Sequence, residues 1–138
     1  MKTFEERMTY GEQAEFQFEK DMEKAGYIFK STKLLEAWTS EFDLRNGDYY
    51  YSKPLIRLDV KRNSISERSL KNFEGNYYAV YHHNLSEVIF LKPEDLHDIH
   101  EEDWVELASG DKGIKFSSLK TYPHLTFNEF RTFLKTLV

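Results

Sequence analysis

Three short runs between Leu55 and Leu91 constrain the fold more than anything else in this chain. Leu55-Ile56-Arg57-Leu58-Asp59-Val60, Tyr77-Tyr78-Ala79-Val80-Tyr81 and Val88-Ile89-Phe90-Leu91 are built mainly from branched, aliphatic and aromatic residues, whose stiff side chains suit a pleated surface better than a helix. Each run is too short to be a packed helix and of ordinary length for a strand. Tyr27-Ile28-Phe29 and Phe42-Asp43-Leu44 are earlier runs of the same kind. The turn formers Asn46-Gly47-Asp48 precede the first of the three, and His83-Asn84-Leu85-Ser86 separates the last two. Adjacent antiparallel strands are therefore the economical arrangement. The tyrosine runs at 49–51 and 77–78 read as ordinary strand residues before they read as platforms for stacked nucleobases.

Helices are expected on either side of this sheet. Thr3-Phe4-Glu5-Glu6 is a capping-box pattern, in which hydroxyl and carboxylate satisfy each other's orphan amides. The spacing of Phe4, Met8, Ala14, Phe18, Met22 and Ala25 continues a helical face to about residue 25, where Gly26 is placed to stop it. Gly11 inside that helix is a local cost. Residues 66–73 form a short helix between two strands, and Pro93-Glu94-Asp95-Leu96 opens another that runs to about Ile99. Ile114–Leu119 reads as a further strand, and Thr126-Phe127-Asn128-Glu129 caps a terminal helix with an apolar stripe. With no repeat or linker, residues 1–138 are expected to form a single small α/β domain, an N-terminal helix followed by a mixed central β-sheet flanked by helices.

Composition narrows the function classes. With 40% hydrophobic residues the chain can bury a core. No window approaches the roughly 18–20 apolar residues of a membrane span, and residues 1–10 lack the pattern of a signal sequence. The expectation is a soluble, cytoplasmic protein without membrane association. Zero cysteines exclude disulfides, thiolate zinc sites and cysteine nucleophiles. There is no phosphate-cradling glycine loop, no Gly-x-Ser-x-Gly and no His-Glu-x-x-His, so no small-molecule organic cofactor is expected. The net charge of −5 argues against nucleic-acid binding by bulk electrostatics. Between Lys53 and Glu74, however, Lys53, Arg57, Lys61, Arg62, Arg68 and Lys71 outnumber Asp59, Glu67 and Glu74, a local basic strip that is either a phosphate-facing surface or a solvated face.

Chemistry is most concentrated in one constellation. Alternation puts Asp59 and Lys61 on the same face of their strand, with Val60 pointing the other way. Asp43 stands on the preceding run. Two carboxylates on neighbouring strands, with a backbone carbonyl, suffice for a hard divalent cation that keeps several waters. A lysine beside them would stabilise charge developing on a phosphate. If the Asn46-Gly47 turn sets Asp43 opposite Tyr50 instead of Asp59, Asp48 becomes the rival second ligand. The bland alternative is an Asp59–Lys61 ion pair at a strand end, worth about 0–1 kcal/mol. His97 and His100, three apart near Glu101 and Asp103, have zinc spacing but lack fixed third and fourth ligands. His82-His83 is a hairpin end with no assigned role.

Asp43, the triplet Asp59-Val60-Lys61 and the upstream Gly11-Glu12-Gln13-Ala14-Glu15 together resemble the signature of the PD-(D/E)XK nuclease superfamily, within it the Holliday-junction-resolvase-like endonucleases. Phe42 stands where the family usually has proline. The resemblance covers roughly residues 8–100 and leaves 101–138 as a C-terminal extension. It implies a restriction-endonuclease-like fold and a magnesium- or manganese-dependent endonuclease that hydrolyses DNA, including branched or junction DNA, to 5′-phosphate products. It implies Asp43 and Asp59 as metal ligands with the Val60 carbonyl, and Glu15 orienting a water or a second metal. It also implies Lys61 holding the nucleophile, Arg57, Arg62, Arg68 and Lys71 contacting DNA phosphates, and a homodimer. The competing expectation, favoured by the overall acidity, is a non-catalytic binding or assembly protein on the same fold.

Overall fold

Thr9 has extended backbone (φ −67°, ψ 167°) and its hydroxyl accepts the Glu12 amide at 3.2 Å, while the Glu12 carboxylate accepts the Thr9 amide at 3.3 Å. This reciprocal cap starts helix α1 at Tyr10–Lys24. The computed structural model describes residues 8–31, 47–52 and 55–137. The capping box read at Thr3 lies outside them, and the helix does not run through residue 8. Within the described residues the helix is capped at Thr9. Gly11 thus sits in the first turn, not the interior. The helix ends as expected: Gly26 at φ +92° lets its own amide reach Glu23 O at 3.0 Å and the Tyr27 amide reach Met22 O at 2.8 Å, a Schellman turn.

That turn consumes Tyr27, so the strand expected at 27–29 begins later, as β1 at Lys30–Ser31. Phe29 packs instead on Phe18 and Tyr51. The expected strand at Phe42–Leu44 lies outside the described residues. The following elements are β2 (Tyr49–Ser52), β3 (Leu55–Arg62), β4 (Ser64–Ser66), α2 (Glu67–Asn72), β5 (Tyr77–Tyr81) and β6 (Val88–Leu91). Pro93–Leu96 and Glu101–Asp103 are 3₁₀ turns, so the helix opened by Pro93 stops short of Ile99. Then come β7 (Val105–Glu106), β8 (Lys112–Lys115), α3 (Phe116–Leu119), β9 (Leu125–Thr126) and α4 (Phe127–Lys135). The strand read over 114–119 is therefore split: β8 ends at Lys115 and the chain turns into α3 at Phe116, whose amide makes the last bond in register with the β4–β8 pairing, to Asn63 O at 2.7 Å.

Among the described residues the main sheet has six strands in the order β1-β2-β3-β5-β6-β9. It is mixed: β3 and β5 run parallel, and the other neighbours are antiparallel. Both faces are covered, which is why β5 and β6 are buried at every residue. Ile56, Leu58, Val60, Tyr77, Ala79, Tyr81, Val88 and Phe90 face Ala14, Phe18 and Met22 of α1 and Phe130 and Leu134 of α4. Tyr78, Val80, Ile89 and Leu91 face Ile65, Ile114, Phe116 and Leu119. The second layer includes a three-stranded sheet in the order β4-β8-β7. Asn63, at φ +70°, is the pivot where the chain leaves β3 for β4, a left-handed position that asparagine tolerates. The extension after residue 100 contributes to both layers, and Phe130 stacks on Phe90 with ring centroids 3.9 Å apart. Among the described residues no helix is long and apolar enough to cross a membrane.

Candidate active site

The β2–β3 ladder pairs Tyr49 with Leu58, so the next antiparallel position sets Asp48 against Asp59. Asp48 extends the ladder in two ways. Its amide donates to Leu58 O at 3.0 Å, and its carboxylate Oδ2 accepts the Val60 amide at 2.9 Å. The side chain thereby replaces a backbone carbonyl as acceptor and is fixed against β3. Gly47 permits the approach, with φ +75° and no room for a Cβ against Leu58 O. Like charges directly opposite on adjacent strands destabilise a sheet; here the Asp48 and Asp59 carboxyls share a side-chain hydrogen bond, which a proton held on Asp48 provides.

Lys61 lies on the same strand face as Asp59, and its Nζ is 3.0 Å from Asp59 Oδ2. Glu15 projects from α1 toward the same place. Tyr49 donates from its hydroxyl to the Glu15 carbonyl at 3.5 Å, linking the first helix to β2. Burial pushes the Asp48 carboxyl well above the ordinary range, and the neighbouring Asp59 and Glu15 charges push it further in the same direction. For Lys61, burial pulls the ammonium down, but Asp59, Asp48 and Glu15 outweigh it and hold the group above its usual value. One ammonium thus faces three carboxylates.

These groups line one cleft of ≈ 440 Å³. Thr9, Tyr10, Gly11, Glu12 and Glu15 of the α1 segment form one wall, and Asp48, Asp59, Val60, Lys61 and Arg62 the floor. Ser64, Ser66, Ser69 and Leu107 form the other wall. Five of the sequence candidates, Glu15, Asp59, Val60, Lys61 and Arg62, are brought together here. Asp43 lies outside the described residues. Asp48, weighed from sequence as the rival ligand, is the carboxylate found beside Asp59.

The basic candidates are placed differently from one another. Arg62 lines the cleft, but its guanidinium donates to His83 O (2.9 Å), Tyr10 O (3.0 Å) and Gln13 Oε1 (2.8 Å) and lies 3.9 Å from the Tyr10 ring centre. It ties α1 to the β5–β6 turn. Arg57 donates to Glu74 O at 3.3 Å and does not line the cleft. Arg68 is exposed on α2, and Lys71 pairs with Glu67 at 3.5 Å one turn away. His83, given no role from sequence, pairs its Nδ1 with the Tyr10 hydroxyl at 2.7 Å, at the cleft rim. The contributions of Tyr10, the serines and Leu107 had no sequence signal, because they come from segments far apart in the chain.

Among the described residues no group of three His, Asp or Glu side chains is spaced to hold a metal ion by itself. His97 and His100 are exposed, and the His100 amide donates to the Tyr122 hydroxyl at 2.9 Å. What the cleft offers a cation is a carboxylate pair supplemented by backbone oxygen and water. Two hard oxygen donors of this kind fit magnesium or manganese. Burial is the first cause that raises the Asp48 carboxyl and the Asp59 and Glu15 charges come after it; a divalent charge would relieve that repulsive part.

No family model matches the chain, and no curated protein matches it in sequence. Among solved structures it is similar to Hjc, a Holliday junction resolvase from the archaeal hyperthermophile Archaeoglobus fulgidus. The two share 13% identity and a TM-score of 0.55, over 90% of this chain and 97% of that one. The likeness is one of fold: a small α/β domain with an N-terminal helix and a mixed sheet flanked by helices, as expected from the sequence.

Proposed function

We propose that the chain is a metal-dependent endonuclease of the PD-(D/E)XK type that hydrolyses DNA phosphodiester bonds, with branched or junction DNA as its substrate class. The observation that carries this reading is Asp48 set against Asp59 on neighbouring strands, with Lys61 3.0 Å from Asp59. The resolvase-like fold supports it. Asp48 and Asp59 would hold the cation, with the Val60 carbonyl as a further oxygen, and Asp48 takes the place that sequence reading assigned to Asp43. The chemistry that magnesium or manganese would supply there is polarisation of the phosphodiester and a lowered pKa for a water. Glu15 orients that water and accepts its proton. Lys61 places a positive charge where the phosphate gains negative charge. The water oxygen bonds to phosphorus, the P–O3′ bond breaks, and protonation of O3′ leaves a 3′-hydroxyl and a 5′-phosphate. A homodimer belongs to this reading, since symmetric incision of a junction needs two sites.

Cleavage of labelled duplex, branched and single-stranded DNA with magnesium or manganese tests it. Asp48→Asn, Asp59→Asn and Lys61→Ala, each checked for folding, are expected to lose roughly 100- to 1,000-fold in rate, while Asp43→Asn retains cleavage. Loss in Asp43→Asn with retention in Asp48→Asn would reverse the ligand assignment. Absence of both cleavage and calorimetric metal binding in the parent protein would replace the nuclease reading with a non-catalytic binding module.

A further inference from the structure

The second sheet has a face that the fold does not use for packing. Ile65 of β4 pairs with Ile114 of β8, and both are fully buried against the main sheet. Their neighbours Ser64, Ser66, Gly113 and Lys115 therefore point the opposite way. Val105 of β7 pairs with Gly113 and shares that outer face. A Cβ on Gly113 would collide with the Leu107 side chain, so Leu107 folds across the glycine onto the same face. Ser64, Ser66 and Leu107 are also wall residues of the catalytic cleft. Hence the outer face of this sheet is continuous with the cleft floor, and the Asn63 pivot at φ +70° turns the chain from Lys61 directly into it.

The chemistry of this face is specific. Ser64 pairs in register with Lys115, which sets their Cβ atoms about 5 Å apart. Lys115 is exposed and makes no ion pair among the described residues. Arg62, the other base at this rim, is committed to carbonyls of α1 and the β5–β6 turn. The face thus combines two small hydroxyls, of which Ser66 accepts the Ser69 amide at 3.1 Å and keeps its own proton to donate, one uncommitted cation and a low apolar strip of Leu107 and Val105, with Asp111 at the far end in register with Leu107. Small donors on a shallow surface allow close approach of a sugar-phosphate chain, and the apolar strip suits deoxyribose.

We propose that the outer face of the β4-β8-β7 sheet is a track for the phosphodiester backbone flanking the cleaved bond. Ser64 and Ser66 donate to phosphate oxygens and Lys115 neutralises one phosphate. The inference rests on the nuclease reading and adds the direction in which the substrate leaves the cleft.

The test is salt-dependent binding of labelled duplex, junction and single-stranded DNA by Asp59→Asn protein, in which turnover is expected to be blocked, with Lys115→Ala added to that background. Losing one phosphate contact lowers the slope of log affinity against log salt by about 0.9 on duplex and about 0.7 on a single strand, roughly an eightfold duplex affinity loss near 0.1 M salt. Lys112→Ala is the control, since Lys112 is exposed on the same strand but has the opposite facing, beside Trp104. It is expected to leave the slope unchanged. Val105→Glu, at an exposed position, puts a negative charge on the track and weakens binding without touching the core. Equal slopes for Lys115→Ala and its background, with DNA bound by both, would overturn the track and leave the nuclease reading standing. Failure of the background protein to bind any DNA, together with failure of the parent to cleave, would overturn both.

Discussion

Gly47 holds the candidate site together by having no side chain. At φ +75° it occupies a region that costs other residues about 1–3 kcal/mol, and a Cβ there would lie 2.6 Å from Leu58 O and 2.8 Å from Phe73 Cε1. Neither the carbonyl, which accepts the Asp48 amide, nor the packed ring can move freely. Gly47→Ala is therefore expected to destabilise the protein by about 2–4 kcal/mol, read by urea denaturation. Cleavage should fall further than unfolding explains, because Asp48 shifts away from Asp59. An unchanged denaturation midpoint would show that the approach of residues 47–48 to β3 is looser than described. Residue chemistry also shows why Asp48 competed with Asp43 on paper. Both aspartates sit near strand-like runs, and the choice turns on register, which residue identity does not encode.

At the scale of elements, end signals were readable wherever one local pattern acted alone. The Thr126 box is formed as expected, with Glu129 Oε1 accepting the Thr126 amide at 2.9 Å and Thr126 Oγ1 accepting the Glu129 amide at 3.2 Å. The Thr126 amide and hydroxyl hold the Glu129 carboxyl below its ordinary value of 4.5. A carboxyl lowered in the folded state stabilises that state above its unfolded pKa, and the contribution fades as pH falls through the folded value. Parent protein is thus expected to lose thermal stability relative to Glu129→Gln as pH drops below about 4.5, with no such relative loss between pH 6 and 8. Parallel melting curves across the acid range would show that the carboxylate does not carry the cap. Where two patterns competed the outcome was not local. Thr3-x-x-Glu6 and Thr9-x-x-Glu12 carry the same pattern in sequence, and α1 begins at Tyr10 behind the Thr9 cap. Ile114–Leu119 has strand composition, but β8 ends at Lys115, where β4 gives way to the Asn63 pivot, and Phe116–Leu119 forms α3.

For the molecule as a whole, Arg62 joins segments that are far apart in sequence. It reaches Tyr10 and Gln13 on α1 and His83 in the β5–β6 turn, closing one end of the cleft. Hydrogen bonds made by a charged group are worth about 1.5–3 kcal/mol each, but they are not additive, and the gap left by removal relaxes. Arg62→Ala is expected to cost about 2–4 kcal/mol in stability, and Arg62→Lys to recover little of it, since an ammonium lacks the planar fork. A purely phosphate-binding arginine would leave the denaturation midpoint where it was and change only DNA affinity. The extension after residue 100 is likewise part of the whole. It supplies Ile114, Phe116 and Leu119 to one core, Phe130 and Leu134 to the other, and Leu107 to the cleft.

The sequence by itself determined the helices α1, α2 and α4, the strands β3, β5 and β6, the mixed α/β class, the antiparallel β5–β6 hairpin and the shared facing of Asp59 and Lys61. All of these follow from periodicity and capping over a few residues. Only the tertiary structure decided that Asp48 is the carboxylate opposite Asp59, that Arg62 is a structural tie, and that a second sheet walls the cleft. Those outcomes depend on register and on contacts between residues tens of positions apart, where closing the chain has an entropy cost and the winner is set by the sum of packing across both layers.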